Sequence, residues 1–324
     1  MGGFLGFWLA PQLKTMVNGS LNVPTEVMDA YTAIRHRRGL GTDGDFLTLL
    51  DDLGIDLFFG LGLPTPQRRN QPNRYTTAHL ERSTGKWILV FRNLRSSIYL
   101  RANERNRANL SRIANYYERD RVPFDERTGF NVERVIRETP NWAFSHGLIP
   151  QGFSSLMARA SGSGTDRALR ATSRLTGIYG ALGLYQPAVD LDRKMLSFDA
   201  PQIPIRRHLV WCLLRLDETK NALDEAAKLE ALVDERDFLS NWIAQTTRDY
   251  AASNDVATRD GMVALLPVFY QSEALWLFRR FMNPEVRGWP HSDPPAQLTS
   301  MPPSGIRHPR IAFLNPAAYP RCAL

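Results

Sequence analysis

Leu175-x3-Tyr179-x3-Gly183-x-Tyr185-x2-Ala188 and, 34 residues later, Leu209-x3-Leu213-x3-Asp217-x-Thr219-x2-Ala222 place large, turn and small residues at the same intervals. A period of this length, with apolar residues at helical spacing on either side of a turn position, predicts pairs of antiparallel helices that stack pair upon pair. Ala188 and Ala222 fall where two helices would cross closely, and Gly183 falls in the turn between the members of a pair. Helices are expected over about 165–182, 185–197, 203–216, 219–233 and 237–251. A degenerate continuation runs to Arg280, with Ser272–Met282 as a last apolar helix able to cap the stack.

The spacing resembles that of tetratricopeptide repeats, which implies an α-helical solenoid that binds a protein or peptide. In such repeats the first helix of each pair lines the concave face. Helical phase then makes Thr172, Arg206, Arg207 and Asn241 the candidate partner-binding residues.

Upstream of this region the pattern is that of an α/β unit. Thr15–Val17 reads as a short strand closed by Asn18-Gly19. A helix is expected from Thr25 to about Arg37, and a second, capped at Thr42-Asp43, carries Phe46, Leu49, Leu50 and Leu53 on one stripe. Ile55–Phe59, apolar except for Asp56, reads as a strand buried on both faces. Tyr75–Glu81, Trp87–Phe91 and Ser97–Arg101 complete the strand set, with turns at 83–85 and 93–96. From Asn103 the period turns helical: about 104–120, a break at Val122-Pro123, Asn131 capping a short helix, Pro140 opening another, then 151–160. Ser161-Gly162-Ser163-Gly164 reads as a seam.

The expected organisation is therefore a mixed-sheet α/β domain over 1–102, a helical connector over 103–164, helical repeats over 165–282 and a Pro-rich extended tail over 283–324. The tail holds nine of the chain's 21 prolines, and sustained periodicity is lost there. Ile311–Leu314 is its one segment suited to docking on the body. The alternative architecture is a helical solenoid throughout, with the strands as hairpin decoration.

The 324 residues are 43% hydrophobic and 23% charged, with a formal net charge of +7, which is ordinary globular composition. Basic residues cluster at 35–38, around Arg68, Arg69 and Arg74, and over 101–112. Acidic residues interleave with the last group, so solvated helix faces explain it better than nucleic-acid binding. No segment reaches the roughly 18 apolar residues of a spanning helix. Residues 1–10 are apolar and begin abruptly, which suggests membrane-spanning segments encoded upstream. The chain would then lie on the extracytoplasmic side of a bacterial membrane; otherwise it would be cytoplasmic.

No catalytic constellation stands out. Phe59-Gly60-Leu61-Gly62 lacks the third glycine of a dinucleotide fingerprint, and Pro64 and Pro66 keep a helix from starting. The histidines at 36, 79, 146, 208, 291 and 308 show no paired metal-ligand spacing among themselves. No metal or other cofactor is therefore expected. Cys212 reads as a small core residue. Asp190 and Asp192 read as part of a solvated helix face. Strand alternation over 75–81 would place His79 and Glu81 on one face beside Arg68, Arg69 and Arg74, a surface suited to an anionic group.

Residues 43–125 carry a further resemblance. The runs Phe46-x2-Leu49-Leu50-x2-Leu53-Gly54-Ile55-Asp56, Tyr75-x3-His79-Leu80-Glu81, Trp87-x2-Val90-Phe91-Arg92-Asn93 and Ile98-Tyr99-Leu100-Arg101 resemble the extracytoplasmic C-terminal region of bacterial multi-pass membrane proteins related to lipid-linked-sugar glycosyltransferases. In that family the catalytic carboxylates lie in the membrane portion, so the resemblance carries no catalytic residue over. It implies an accessory, non-catalytic interaction module of a membrane glycosyltransferase-like system. The alternative is a glycan- or lipid-phosphate-binding part of a sugar transferase, using Arg68, Arg69, Arg74 and His79.

Overall fold

The computed structural model describes residues 14–15, 24–36, 46–61, 78–83, 85–94, 96–162, 164–198, 200–255, 258–259, 262–263 and 310–314. Among them the fold is mixed α+β, with a five-stranded sheet at one end and a layer of helices at the other.

The sheet half is built from β1 (Lys14–Thr15), α1 (Thr25–His36), α2 (Phe46–Asp52), β2 (Ile55–Leu61), α3 (Ala78–Arg82), β3 (Trp87–Arg92) and β4 (Ser96–Arg101). Its last strand, β7 (Arg310–Leu314), comes from the far end of the chain. The strand order is β1-β7-β2-β4-β3. β7 runs parallel to both β1 and β2, whereas β4 is antiparallel to β2 and β3. The segment expected as an extended tail thus supplies an interior strand. Ile311–Leu314, the tail segment expected to be suited to docking on the body, makes up most of that strand, but four apolar residues among prolines do not say where it pairs.

Alternation along β3 and β4 sorts the two faces. Trp87 and Tyr99 pack with Ile34, Phe46, Leu50, Phe58 and Leu80 under α1–α3. Ile88, Val90 and Leu100 pack with Leu110 of α4 (Arg107–Arg119) on the other face. Gly60 is paired with Ser97 inside the sheet, so the Phe59-Gly60 pair belongs to a strand and not to a phosphate-binding turn. The strand expected over Tyr75–Glu81 is corrected: residues 78–82 form helix α3, and 75–77 lie outside the described residues. Leu80 docks that single turn into the core, and this tertiary contact outweighs the local β pattern.

A hairpin comes after α4, formed by β5 (Phe124–Asp125) and β6 (Gly129–Phe130). Next come α5 (Val132–Glu138), with Asn131 accepting from the Arg134 N–H at 3.0 Å, and α6 (Pro140–Ser145). α7 (Phe153–Ala160) leads into α8 (Asp166–Leu182). One hydrophobic core runs from Leu94 through Val135, Leu148 and Phe153 to Leu182, with members on both sides of the expected seam at 161–164.

The helical half continues with α9 (Tyr185–Leu196), α10 (Gln202–Arg215), α11 (Thr219–Glu230) and α12 (Phe238–Ala252). Each helix packs on the next, and α12 also reaches α10. Thr172 Oγ1 of α8 and Lys194 Nζ of α9 both donate to the Ala160 carbonyl, tying α7 to the two helices after it. Beyond Ala252 the described helical residues are Thr258–Arg259 and Met262–Val263; the expected cap at Ser272–Met282 lies outside the described residues.

The two turns of the repeated spacing share one hydrogen-bond pattern. Gly183 N–H donates to the Gly180 carbonyl at 3.1 Å and Leu184 N–H to Tyr179 at 2.9 Å. Thirty-four residues on, Asp217 N–H donates to Leu214 at 3.2 Å and Glu218 N–H to Leu213 at 2.9 Å. Both are left-handed helix C-caps, with φ of 78° at Gly183 and 59° at Asp217. Ala188 and Ala222, one helical turn beyond, are fully buried.

Candidate functional site

Two polar clusters are buried in this framework. The first joins the halves. Glu81 of α3 is contacted by Arg92 of β3 and by Arg215 of α10, and the Tyr185 hydroxyl donates to it at 2.6 Å. Burial lifts the Glu81 carboxyl above its ordinary range, while Arg215 and Tyr185 pull against that. Tyr99, fully buried beside it, has its phenol pushed well up by burial and then by the Glu81 charge.

The same region's arginines act on helix ends. Arg92 Nε and Nη2 both donate to the Ala181 carbonyl, at 3.1 and 3.0 Å, in the last turn of α8. Arg82 Nη1 donates to Leu214 O in the last turn of α10 at 3.3 Å, and its Nη2 reaches Tyr250 Oη at 3.0 Å and pairs with Asp217. Cations at C-terminal carbonyls answer both the orphan acceptors and the negative end of the helix dipole. Gly183 makes room for one of them, because a Cβ there would stand 2.6 Å from Arg92 Nη1. Two sheet-half arginines thus hold the C-terminal ends of α8 and α10, the two helices that end in the like turns.

The second cluster lies between α9 and α10. Asp192 Oδ2 and His208 Nδ1 are 2.6 Å apart, and Cys212 Sγ is 3.8 Å from each imidazole nitrogen. Thr176 Oγ1 lies 3.1 Å from Asp192 Oδ1. Asp192, His208 and Cys212 are each at most 2% exposed. His208 lies directly against α8, where a Cβ on Gly180 would stand 2.8 Å from its Nε2. Cysteine, histidine and aspartate are the side chains of nucleophilic catalysis, but substrate has no access here, and burial pushes the Cys212 thiol up, away from the reactive thiolate.

Sequence reasoning missed this cluster. Asp192, read as part of a solvated face, is fully buried, because α9 turns that side toward α8 and α10. The available signal was His208-x3-Cys212, an i,i+4 pair on one helical face. A mixed pair of that kind falls outside both histidine–histidine and cysteine–cysteine spacings.

The expected partner-binding residues are not brought together on one open face. Thr172 is buried, its hydroxyl bonded to Ala168 O at 2.9 Å. Arg206 pairs with Glu225, and Arg207 with Asp237 and with Ser240 Oγ at 2.7 Å. Asn241 donates to Asp234 O at 2.9 Å. Most of α10 is buried, from His208 to Arg215, and its C-terminal end meets the sheet half. Of the expected anion-binding set, Arg68, Arg69 and Arg74 lie outside the described residues. His79 belongs to α3, so the strand expected to carry His79 and Glu81 is a helix. Glu81 turns instead to the inter-half cluster.

The family-like motifs have structural work in this fold. Asp56 is buried and accepts from Asn103 Nδ2 at 3.0 Å. Asn93 Oδ1 accepts from Ser96 N–H at 2.8 Å, closing the β3–β4 turn. Arg101 pairs with Asp51, donates to Ile55 O at 2.8 Å and stacks 4.7 Å over the Trp87 ring.

No helix among the described residues is long and apolar enough to cross a membrane. Comparison with protein-family models, with curated proteins and with solved structures finds no match to this chain.

Proposed function

We propose that the chain is a protein-interaction module whose helical half is a tetratricopeptide-like stack, working as a non-catalytic accessory part of a membrane glycosyltransferase-like system. The observation that carries this reading is the turn pattern at Gly183 and Asp217, reproduced bond for bond at the 34-residue offset. The buried alanines just beyond each turn support it. Stacked pairs of this kind present extended faces to other chains.

The partner-facing surface in this reading is narrower than a whole groove. The C-terminal ends of α8 and α10 are engaged by Arg92 and Arg82, so the N-terminal ends of α10 and α12 remain. There Arg206 pairs with Glu225, Arg207 with Asp237 and Asn241 with the Asp234 carbonyl, as separate contacts. A mixed-charge rim of that sort suits a polar peptide segment of a membrane-associated partner.

The test is a partner captured on the full chain from a bacterial membrane fraction, identified, and rebound as a purified protein. Hydrogen exchange should then show protection at the N-terminal turns of α10 and α12. Failure of the purified partner to bind, or protection confined to the sheet half, would overturn the reading. Saturable binding of a polyprenyl-phosphate sugar instead would favour the glycan- or lipid-phosphate-binding alternative.

A further inference from the structure

The Asp192–His208–Cys212 cluster has a chemistry that interaction with a partner leaves unused. Its potential donor atoms all lie within 4.8 Å of one another, and all three residues are buried. A tetrahedral zinc ion with bonds of about 2.0–2.3 Å needs donors spaced by roughly 3.3–3.8 Å. The sulfur already stands 3.8 Å from the imidazole nitrogens, and the Asp192–His208 contact of 2.6 Å must widen.

Charge is compatible with an ion. A carboxylate, a thiolate and a neutral imidazole sum to two negative charges, which a divalent cation cancels. A buried site survives only when it is close to neutral. The donor types are selective as well: sulfur and imidazole disfavour Mg2+ and Ca2+ and suit Zn2+. The other carboxylate oxygen is held by Thr176, which fixes the orientation of Asp192 as outer hydrogen bonds do around metal ligands. Gly180 lets the imidazole lie flush against α8, so one ion would lock α9 and α10 together beneath a third helix.

We propose that Asp192, His208 and Cys212 supply three ligands of a Zn2+ site that staples α9 to α10. The ion enters while the helices are still loosely packed and is retained by burial.

The chain has only two cysteines, Cys212 and Cys322, so a Cys322→Ser variant makes Cys212 the single thiol. The full chain in that background is refolded with Co2+ as a spectroscopic probe, and separately with Zn2+. The expected result is stoichiometric uptake, with a thiolate-to-cobalt charge-transfer band that Zn2+ displaces. Zinc should raise the melting temperature, and a further Cys212→Ala change should abolish the band. If Cys212→Ala fails to fold, the zinc-displaceable band in the Cys322→Ser chain still carries the proposal. A chain folded by circular dichroism that shows no band and retains no zinc overturns it, leaving a buried carboxylate–imidazole pair beside an inert thiol. A band that survives Cys212→Ala overturns it equally.

Discussion

The Tyr185 hydroxyl, in the first turn of α9, donates a 2.6 Å hydrogen bond to the Glu81 carboxylate of α3, joining residues 104 positions apart. Around that bond the sheet half and the helical half share Arg92 and Arg215. The arginine guanidiniums are almost wholly withdrawn from water, at 4% and 1% side-chain exposure.

Glu81→Gln should therefore be among the most damaging single changes in the molecule. It takes the Glu81 counter-charge away from two buried guanidiniums, a loss of about 3–5 kcal/mol. Tyr185→Phe removes only the hydroxyl and should cost about 1 kcal/mol. Urea denaturation at neutral pH measures both. Equal effects would show that the charge at Glu81 does not hold the halves together.

Gly183 and Gly152 have nearly the same backbone, with φ of 78° and 75°. A Cβ at 183 would meet Arg92, whereas at 152 it meets nothing within 4 Å. Gly152→Ala should cost about 1 kcal/mol, the left-handed penalty alone. Gly183→Ala should cost clearly more and should weaken the Arg92 grip on α8. Paired melting curves of the two variants decide the point.

Ala188 and Ala222 are fully buried at the helix crossings, while Ala227 on α11 is exposed. Leucine at either buried site overpacks a close approach and should destabilise by about 1–3 kcal/mol. Ala227→Leu should be nearly neutral. Thermal melts of the three variants compare them. An Ala188→Leu or Ala222→Leu chain as stable as the parent would mean that these helices do not cross closely.

Acid should loosen the N-terminal end of α12. Partial burial alone would raise the Asp237 carboxyl, but bonds from the Ser240 N–H, from Arg207 and from the Ser240 hydroxyl outweigh it and hold it below the ordinary range. A carboxyl whose folded pKa lies below its unfolded one gives stability that is complete above the unfolded value, about 3.9. That stability is lost as pH falls through the folded value. Urea midpoints measured from about pH 6 downward should fall more steeply for the parent than for Asp237→Asn. Parallel curves would remove Asp237 from the account of acid sensitivity.

Much of the helical half was legible in the chain because its signals are local. Thr165, Asn131 and Pro140 each open the helix expected of them, and Gly183 ends α8 in the left-handed turn that its lack of a Cβ favours. In the sheet half, alternation marked β3 and β4, and the mostly apolar run at 55–59 marked β2. The pattern over 75–81 misled, since five helical residues are too few to show a period of 3.6.

By itself, then, the sequence determined where most of the helices begin and end and that two of their turns are alike. Each of those comes from contacts within a few positions along the chain. Only the tertiary structure decided that Arg310–Leu314 enters the sheet between β1 and β2, that Arg82 and Arg92 grip the ends of α10 and α8, and that Asp192 turns inward to His208 and Cys212. Those pairings join distant parts of the chain, and no local period encodes them. Whether a charged side chain ends in water or in a buried pair depends on which element packs over it.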